Sequence, residues 1–139
     1  AQLAYEALTD IEFDCLGGLE LGAIPIAVTI SDFACAASRQ RLWRTFVVRK
    51  QAKDHGLGKL IEGSIRLNDR ALIVDDVLTS GGSLLKAVGV AREAGLRVDH
   101  AFVIVDRQEQ DGRARVERDK VQLISLLTVQ DLTSTMKKL

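Results

Sequence analysis

Two adjacent carboxylates followed by hydroxyls and glycines form the stretch of this sequence best equipped for chemistry. In "ALIVDDVLTSGGSLL", Asp75 and Asp76 end an apolar run. Thr79, Ser80, Gly81, Gly82 and Ser83 follow before the chain turns apolar again. Carboxylates accept hydrogen bonds from sugar hydroxyls and hold magnesium through water. Backbone N–H groups where a loop opens a helix carry partial positive charge and bind phosphate. The glycines let an anion approach the backbone, and the hydroxyls add donors. The combination points to a sugar phosphate. A helix-capping turn is the plainer reading, but a cap needs only one such residue. The spacing is not GxxxxGK[ST], since no lysine follows the glycines until Lys86, and GxGxxG is absent. A nucleotide triphosphatase and a dinucleotide fold are therefore disfavoured.

For the acids to work they must stand at the end of a strand, with a helix behind the glycines. The pattern supplies both. "RALIVDD" reads as a strand buried on both faces. Residues 83–94 have helical period, with Leu84, Leu85, Val88 and Ala91 on one face and Gly95 closing it. Further strands are predicted at residues 13–18, 44–50, 97–107 and 121–128. Helices are predicted near the start (Leu3, Ala4, Ala7 and Leu8 on one face), at 23–38 with Pro25 in its first turn, and from Val129. "GRARVERDK" reads as partly helical. "QAKDHGLGKLIEG" reads as a mobile loop. Strands alternating with helices imply an α/β fold, a parallel sheet flanked by helices on both faces. In such sheets ligands bind outside the carboxyl ends of the strands, which is where Asp75 and Asp76 fall.

The 139 residues suffice for a single domain spanning 1–139. Apolar residues make up 47% and the formal net charge is zero, so no global field draws the chain to nucleic acid or a membrane surface, and an anion site must be local. No stretch approaches the ~20 apolar residues of a membrane span. "AQLAYEALTD" lacks the basic and apolar blocks of a signal peptide, although it also lacks an initiator Met. A cytoplasmic location is expected. Cys15 and Cys35 lack metal or redox spacing and read as buried, reduced thiols. Trp43 and His100 read as packing residues.

"ALIVDDVLTSGGS" resembles the phosphoribosyl pyrophosphate (PRPP) signature of type I phosphoribosyltransferases. "RKQAKDHGLGKLIEG" resembles the flexible loop of the orotate phosphoribosyltransferase family, "LELGAIPIA" its pyrophosphate loop, and "VDRQE" its later strand end. The motifs occur in family order across residues 19–109. The resemblance implies the phosphoribosyltransferase core fold and transfer of ribose 5-phosphate from PRPP to orotate, a step of pyrimidine (UMP) biosynthesis, with Mg²⁺ required. It also implies a homodimer in which loop 49–58 reaches the neighbouring site. Family members run longer, with an N-terminal hood over the base, and the chain is read as lacking that segment.

Carried over residue by residue, the resemblance gives Asp75 and Asp76 the ribose hydroxyls, directly or through Mg²⁺. Thr79, Ser80, Gly81, Gly82 and Ser83 would take the 5-phosphate, with Val77 and Leu78 inside the same PRPP-binding stretch. Glu20, Leu21 and Gly22 match the pyrophosphate loop, where backbone amides bind. Arg49, Lys50, Lys53 and His55 match cations that contact pyrophosphate. Lys53 is expected to be the main catalytic cation or acid, with His55 assisting and Asp76 alongside. Charge left on a departing pyrophosphate gives such cations their work. Gly56 and Gly58 would let the loop close and exclude water. Thr79 and Arg107 match orotate contacts. A guanidinium can grip a carboxylate bidentately, although on the residues alone Arg107 reads as a strand-end ion pair with Asp106 or Glu109.

Two alternatives accompany this reading. The first is the same transfer to a purine, against which "RKQAKDHG" stands where adenine enzymes carry "RKxxKLP". The second is a non-catalytic PRPP-binding regulator. Neutral charge, the lack of a basic arm and the retained cationic loop stand against it.

Overall fold

The computed structural model describes residues 1–38, 41–51 and 60–136. Among them the strands are β1 (Cys15–Leu19), β2 (Arg44–Val48), β3 (Ile61–Gly63), β4 (Arg70–Leu78), β5 (Arg97–Asp106) and β6 (Gln122–Thr128). The helices are α1 (Gln2–Ala7), α2 (Ala23–Ala37), α3 (Gly82–Glu93), α4 (Gly112–Arg118) and α5 (Val129–Met136). The strands form one sheet in the order β3-β2-β1-β4-β5-β6. Every pairing is parallel except β2 with β3. The expected parallel α/β sheet is therefore present, with one antiparallel edge strand added.

The unbroken apolar run of β4 follows from two covered faces. Leu72 and Val74 point into a core built with Leu16, Phe102, Ala4 of α1, Leu8 just after it, and Ala27 and Ile30 of α2. Ala71 and Ile73 point the other way, onto Val103, the α3 residues Leu84, Ala87 and Val88, and Val116 of α4. Alternation with period two thus serves both cores, and neither face tolerates a polar residue. The short strand β3 lies in the segment read as loop. It offers one apolar residue, Ile61, and pairs only with β2, so periodicity carries no signal for it.

Two arginines, Arg44 and Arg70, form ion pairs at the amino ends of the strands. Arg44 holds Asp69 bidentately at 2.8 Å through each terminal nitrogen. Arg70 holds Asp14 at 3.2 Å and also pairs with Glu12. The Arg44 guanidinium beside the largely buried Asp69 carboxylate keeps its pKa below the usual range. These bridges fasten the amino end of the sheet. Trp43 stacks on Phe13, ring centroids 4.2 Å apart, and packs near Tyr5, as a core residue should. Half-buried His100 pairs with Leu72 and Gln122 inside the sheet.

One expectation fails. Cys15 is buried, and loss of hydration pushes its thiol up to about 12, but Cys35 is exposed on α2. The helix buries Ala27, Ile30 and Ala34, and Cys35 falls one residue past that stripe. Among the described residues no helix is long and apolar enough to cross a membrane.

Candidate active site

The central strands separate where the acids stand. β1 follows β2 through Leu19 opposite Val48, but it follows β4 only as far as Gly17 opposite Ile73. β4 stays with β5 through Leu78 opposite Asp106. Gly18 still lies against β4, since a Cβ there would stand 2.1 Å from the Val74 carbonyl oxygen, so the crevice between β1 and β4 opens only past Gly18 and Val74. The connections also reverse direction there, from β1 outward to β2 and from β4 outward to β5. This is the switch point at which open α/β sheets take ligands. Glu20, Leu21 and Gly22 line one lip, and the stretch from Asp75 to Ser83 lines the other. The lips meet at Gly22, which lies against the Asp76 carboxylate. The Glu20–Leu21 peptide is cis.

The two acids differ. Asp75 is 8% exposed. Its Oδ1 accepts the Asp76 N–H at 3.0 Å and its Oδ2 accepts the Ser83 hydroxyl at 2.7 Å. Burial raises its pKa, and those two hydrogen bonds pull it partly back. Asp76 is exposed, with Oδ1 accepting the Val77 N–H at 2.8 Å. One carboxylate is thus fixed and the other presented. Among the described residues no group of three or more acids, histidines or cysteines could form a metal cage. A buried and an exposed carboxylate side by side suit Mg²⁺ that arrives on a substrate and meets the protein through water.

The loop beyond them is built as a cradle. Gly81 adopts φ +77°, a left-handed conformation that suits glycine, and starts α3 with no side-chain cap. Ser83, the second residue of the helix, gives its hydroxyl to Asp75. The first N–H groups of α3 lack intrahelical acceptors and open outward. A Cβ on Gly82 would find only Ser80 Oγ, at 3.6 Å, so the approach is clear. Helix α4 supports the loop from behind. A Cβ on Gly112 would overlap the Thr79 carbonyl oxygen, and Arg115 Nη1 donates to the Ser80 carbonyl at 2.8 Å.

Cations border the Glu20 side. Arg49 pairs with Glu62 at 2.8 Å, and its buried Nε–H meets no acceptor among the described residues. The Lys50 N–H donates to Glu20 Oε1 at 2.7 Å, and Lys86 Nζ donates to the Lys50 carbonyl at 3.0 Å. Lys53, His55, Gly56 and Gly58 lie outside the described residues. Arg107 forms the ion pair that its residue type alone implied, with Glu109 at 2.9 Å. Its backbone N–H donates to the Leu78 carbonyl at 3.0 Å, which places it beside the start of the cradle, next to Thr79.

The crevice therefore brings together Glu20, Gly22, Asp75, Asp76 and the cradle, with Arg49, Lys50 and Arg107 at its edges. Sequence reasoning missed Gly112 and Arg115, which support the cradle from a segment read only as partly helical. It also missed the side-chain work of Glu20 and Lys86. For Lys86 a signal existed: it stands one helical turn after Ser83 and so shares its face.

No protein-family model matches the chain. Among characterised proteins it is 43% identical over 122 residues to the orotate phosphoribosyltransferase of Pyrococcus abyssi, covering 88% of this chain and 63% of that one. It is 41% identical over 128 residues to that of Aquifex aeolicus, covering 92% and 68%. Among solved structures it superposes on Mycobacterium tuberculosis orotate phosphoribosyltransferase in complex with PRPP with a TM-score of 0.80. The identity there is 34%, with 94% of this chain and 72% of that chain covered. The chain thus spans roughly two thirds of the length of these relatives.

Proposed function

The chain belongs to the orotate phosphoribosyltransferase family, and from that premise we propose that the whole protein transfers ribose 5-phosphate from PRPP to orotate. The orotate N1 electron pair forms a bond to the anomeric carbon as N1 gives up its proton to the departing pyrophosphate or to solvent, and the C–O bond to pyrophosphate breaks with its electron pair leaving on oxygen. The observation that carries this reading is the separation of β1 from β4, which sets two unlike carboxylates beside an uncapped helix N-terminus.

In this reading residues 1–139 form one phosphoribosyltransferase core domain. Asp75 and Asp76 accept the ribose hydroxyls, and the loop from Thr79 to Ser83 receives the 5-phosphate on backbone amides and hydroxyls. Glu20, Leu21 and Gly22, with Arg49 and Lys50, receive the pyrophosphate. Asp75 and Asp76 would hold Mg²⁺ through water, and the ion would supply charge neutralisation on the phosphates. Lys53 and His55 are assigned the cationic role on the departing pyrophosphate, and Thr79 and Arg107 hold orotate. Arg107 would leave Glu109 for the orotate carboxylate, an exchange of one exposed carboxylate for another. The protein would act as a cytoplasmic homodimer, the 49–58 segment of one subunit serving its neighbour.

The test is loss of orotate absorbance in the full-length protein supplied with PRPP and Mg²⁺. Orotate is consumed and pyrophosphate released in equal amounts. Adenine in place of orotate gives no product. No consumption of orotate by a folded, full-length dimer would overturn the reading.

A further inference from the structure

The peptide groups of Lys50 are gripped from two directions while its side chain is left alone. Glu20, from the chain after β1, accepts the Lys50 N–H at 2.7 Å. Lys86, on α3, donates to the Lys50 carbonyl at 3.0 Å. The grip is itself anchored, since the Glu20 N–H donates to the Val48 carbonyl at 2.8 Å and the Arg49 N–H to the Leu60 carbonyl at 2.8 Å. The exposed Lys50 ammonium has no hydrogen bond or ion pair among the described residues. Backbone next to a strand end ordinarily takes water for its spare groups. Here two charged side chains, one of each sign and from separate elements, converge on a single residue.

We propose that Glu20 and Lys86 are positioning residues that hold Lys50 as a preset cation at the pyrophosphate end of the crevice. This inference rests on the proposed transferase reading. The hydrogen bonds at Lys50 involve charged partners, which makes them stronger than neutral ones. A fixed backbone removes part of the ordering that a lysine on free chain would undergo on meeting an anion. Lys86 therefore acts through Lys50, not on the substrate directly. Glu20, although an acid beside a pyrophosphate site, has its Oε1 occupied by the Lys50 N–H.

The test uses the full-length enzyme and two readouts, PRPP kinetics and calorimetric binding of inorganic pyrophosphate with Mg²⁺. Lys86→Met should raise KM for PRPP and weaken pyrophosphate binding about tenfold, the size of one charge-assisted hydrogen bond. kcat should change far less, and the melting temperature should stay near that of wild type. Lys86→Arg, which keeps a cationic donor, should recover most of the loss. Glu20→Gln, which keeps the acceptor, should be milder than Glu20→Ala. The pair Lys50→Met and Lys86→Met should be no worse than Lys50→Met alone, because both variants remove one function. Additive losses would overturn the proposal, as would a Lys86→Met enzyme indistinguishable from an active wild type. A wild type that neither binds PRPP nor consumes orotate would instead overturn the transferase reading.

Discussion

Gly22 and Asp76 face each other across the split in the sheet: a Cβ added to Gly22 would stand 3.2 Å from Asp76 Oδ1 and 3.3 Å from Oδ2. The two belong to different loops, one after β1 and one at the end of β4, so their contact closes the floor of the crevice. Gly22 has φ −56°, which any residue adopts, so its small size matters here and not its flexibility. Gly22→Ala should fold with a melting temperature close to wild type. The displaced Asp76 should raise KM for PRPP by about tenfold, with Gly22→Val worse. Steady-state kinetics beside a thermal melt separates the two effects.

Asp75 should show a trade between stability and binding. Its folded pKa lies above that of an unfolded aspartate because burial disfavours the charge. For such a group the folded state holds the proton more tightly. The penalty is therefore complete above the folded pKa and disappears as pH falls below the unfolded value. Asp75→Asn removes the penalty and keeps both hydrogen bonds, since the Ser83 hydroxyl can turn to accept from the new amide. The substitution should stabilise the unliganded fold at neutral pH and raise its Tm. The gain should vanish toward pH 4, while PRPP affinity falls at neutral pH. Melts of both proteins across that range check the sign.

The cradle depends on α4. Gly112→Ala drives a Cβ into the Thr79 carbonyl oxygen, a backbone atom with little room to move. A loss of about 2 kcal/mol of stability is expected, together with a higher KM for PRPP. Arg115→Ala removes one donor to the Ser80 carbonyl from an exposed side chain. It should leave the melt almost unchanged and raise KM by roughly threefold, in keeping with one modest hydrogen bond. Chemical denaturation and PRPP kinetics on both variants distinguish packing from positioning.

At the far end of the sheet, Asp69 is held at a lowered pKa, chiefly by its hydrogen bonds to Arg44. A depressed carboxylate stabilises above its unfolded pKa, and the contribution is lost as pH falls through the folded value. Asp69→Ala should cost about 3 kcal/mol at pH 7, because it leaves the Arg44 guanidinium half-covered and unpaired. The difference from wild type should shrink in acid. PRPP binding by the folded fraction should not change.

The main elements were legible because each carries its own period or punctuation. β4 announced itself by an apolar run ending in acids, and α3 by its apolar stripe and Gly95. The sheet order was not legible, since nothing in "FDCLGG" or "RALIVDD" says that these strands are neighbours, or that their pairing ends at Gly17 and Ile73. The chemistry of the acids could be read from residue types. Their division of labour could not, because it depends on Ser83 folding back on Asp75. The bonds that Glu20 and Lys86 make to Lys50 were not legible for a related reason: their partner is a backbone, and sequence patterns describe side chains. Cys35 was misread because an apolar neighbourhood in sequence spans both faces of a helix.

Calorimetric titration of PRPP with Mg²⁺ tests most directly whether the crevice between β1 and β4 is the substrate site. Wild-type full-length protein should bind one PRPP per chain, and the Asp75→Asn, Asp76→Asn double variant should bind it at least tenfold more weakly while remaining folded. Binding of equal strength in the folded double variant, or no binding by wild type, would contradict that assignment.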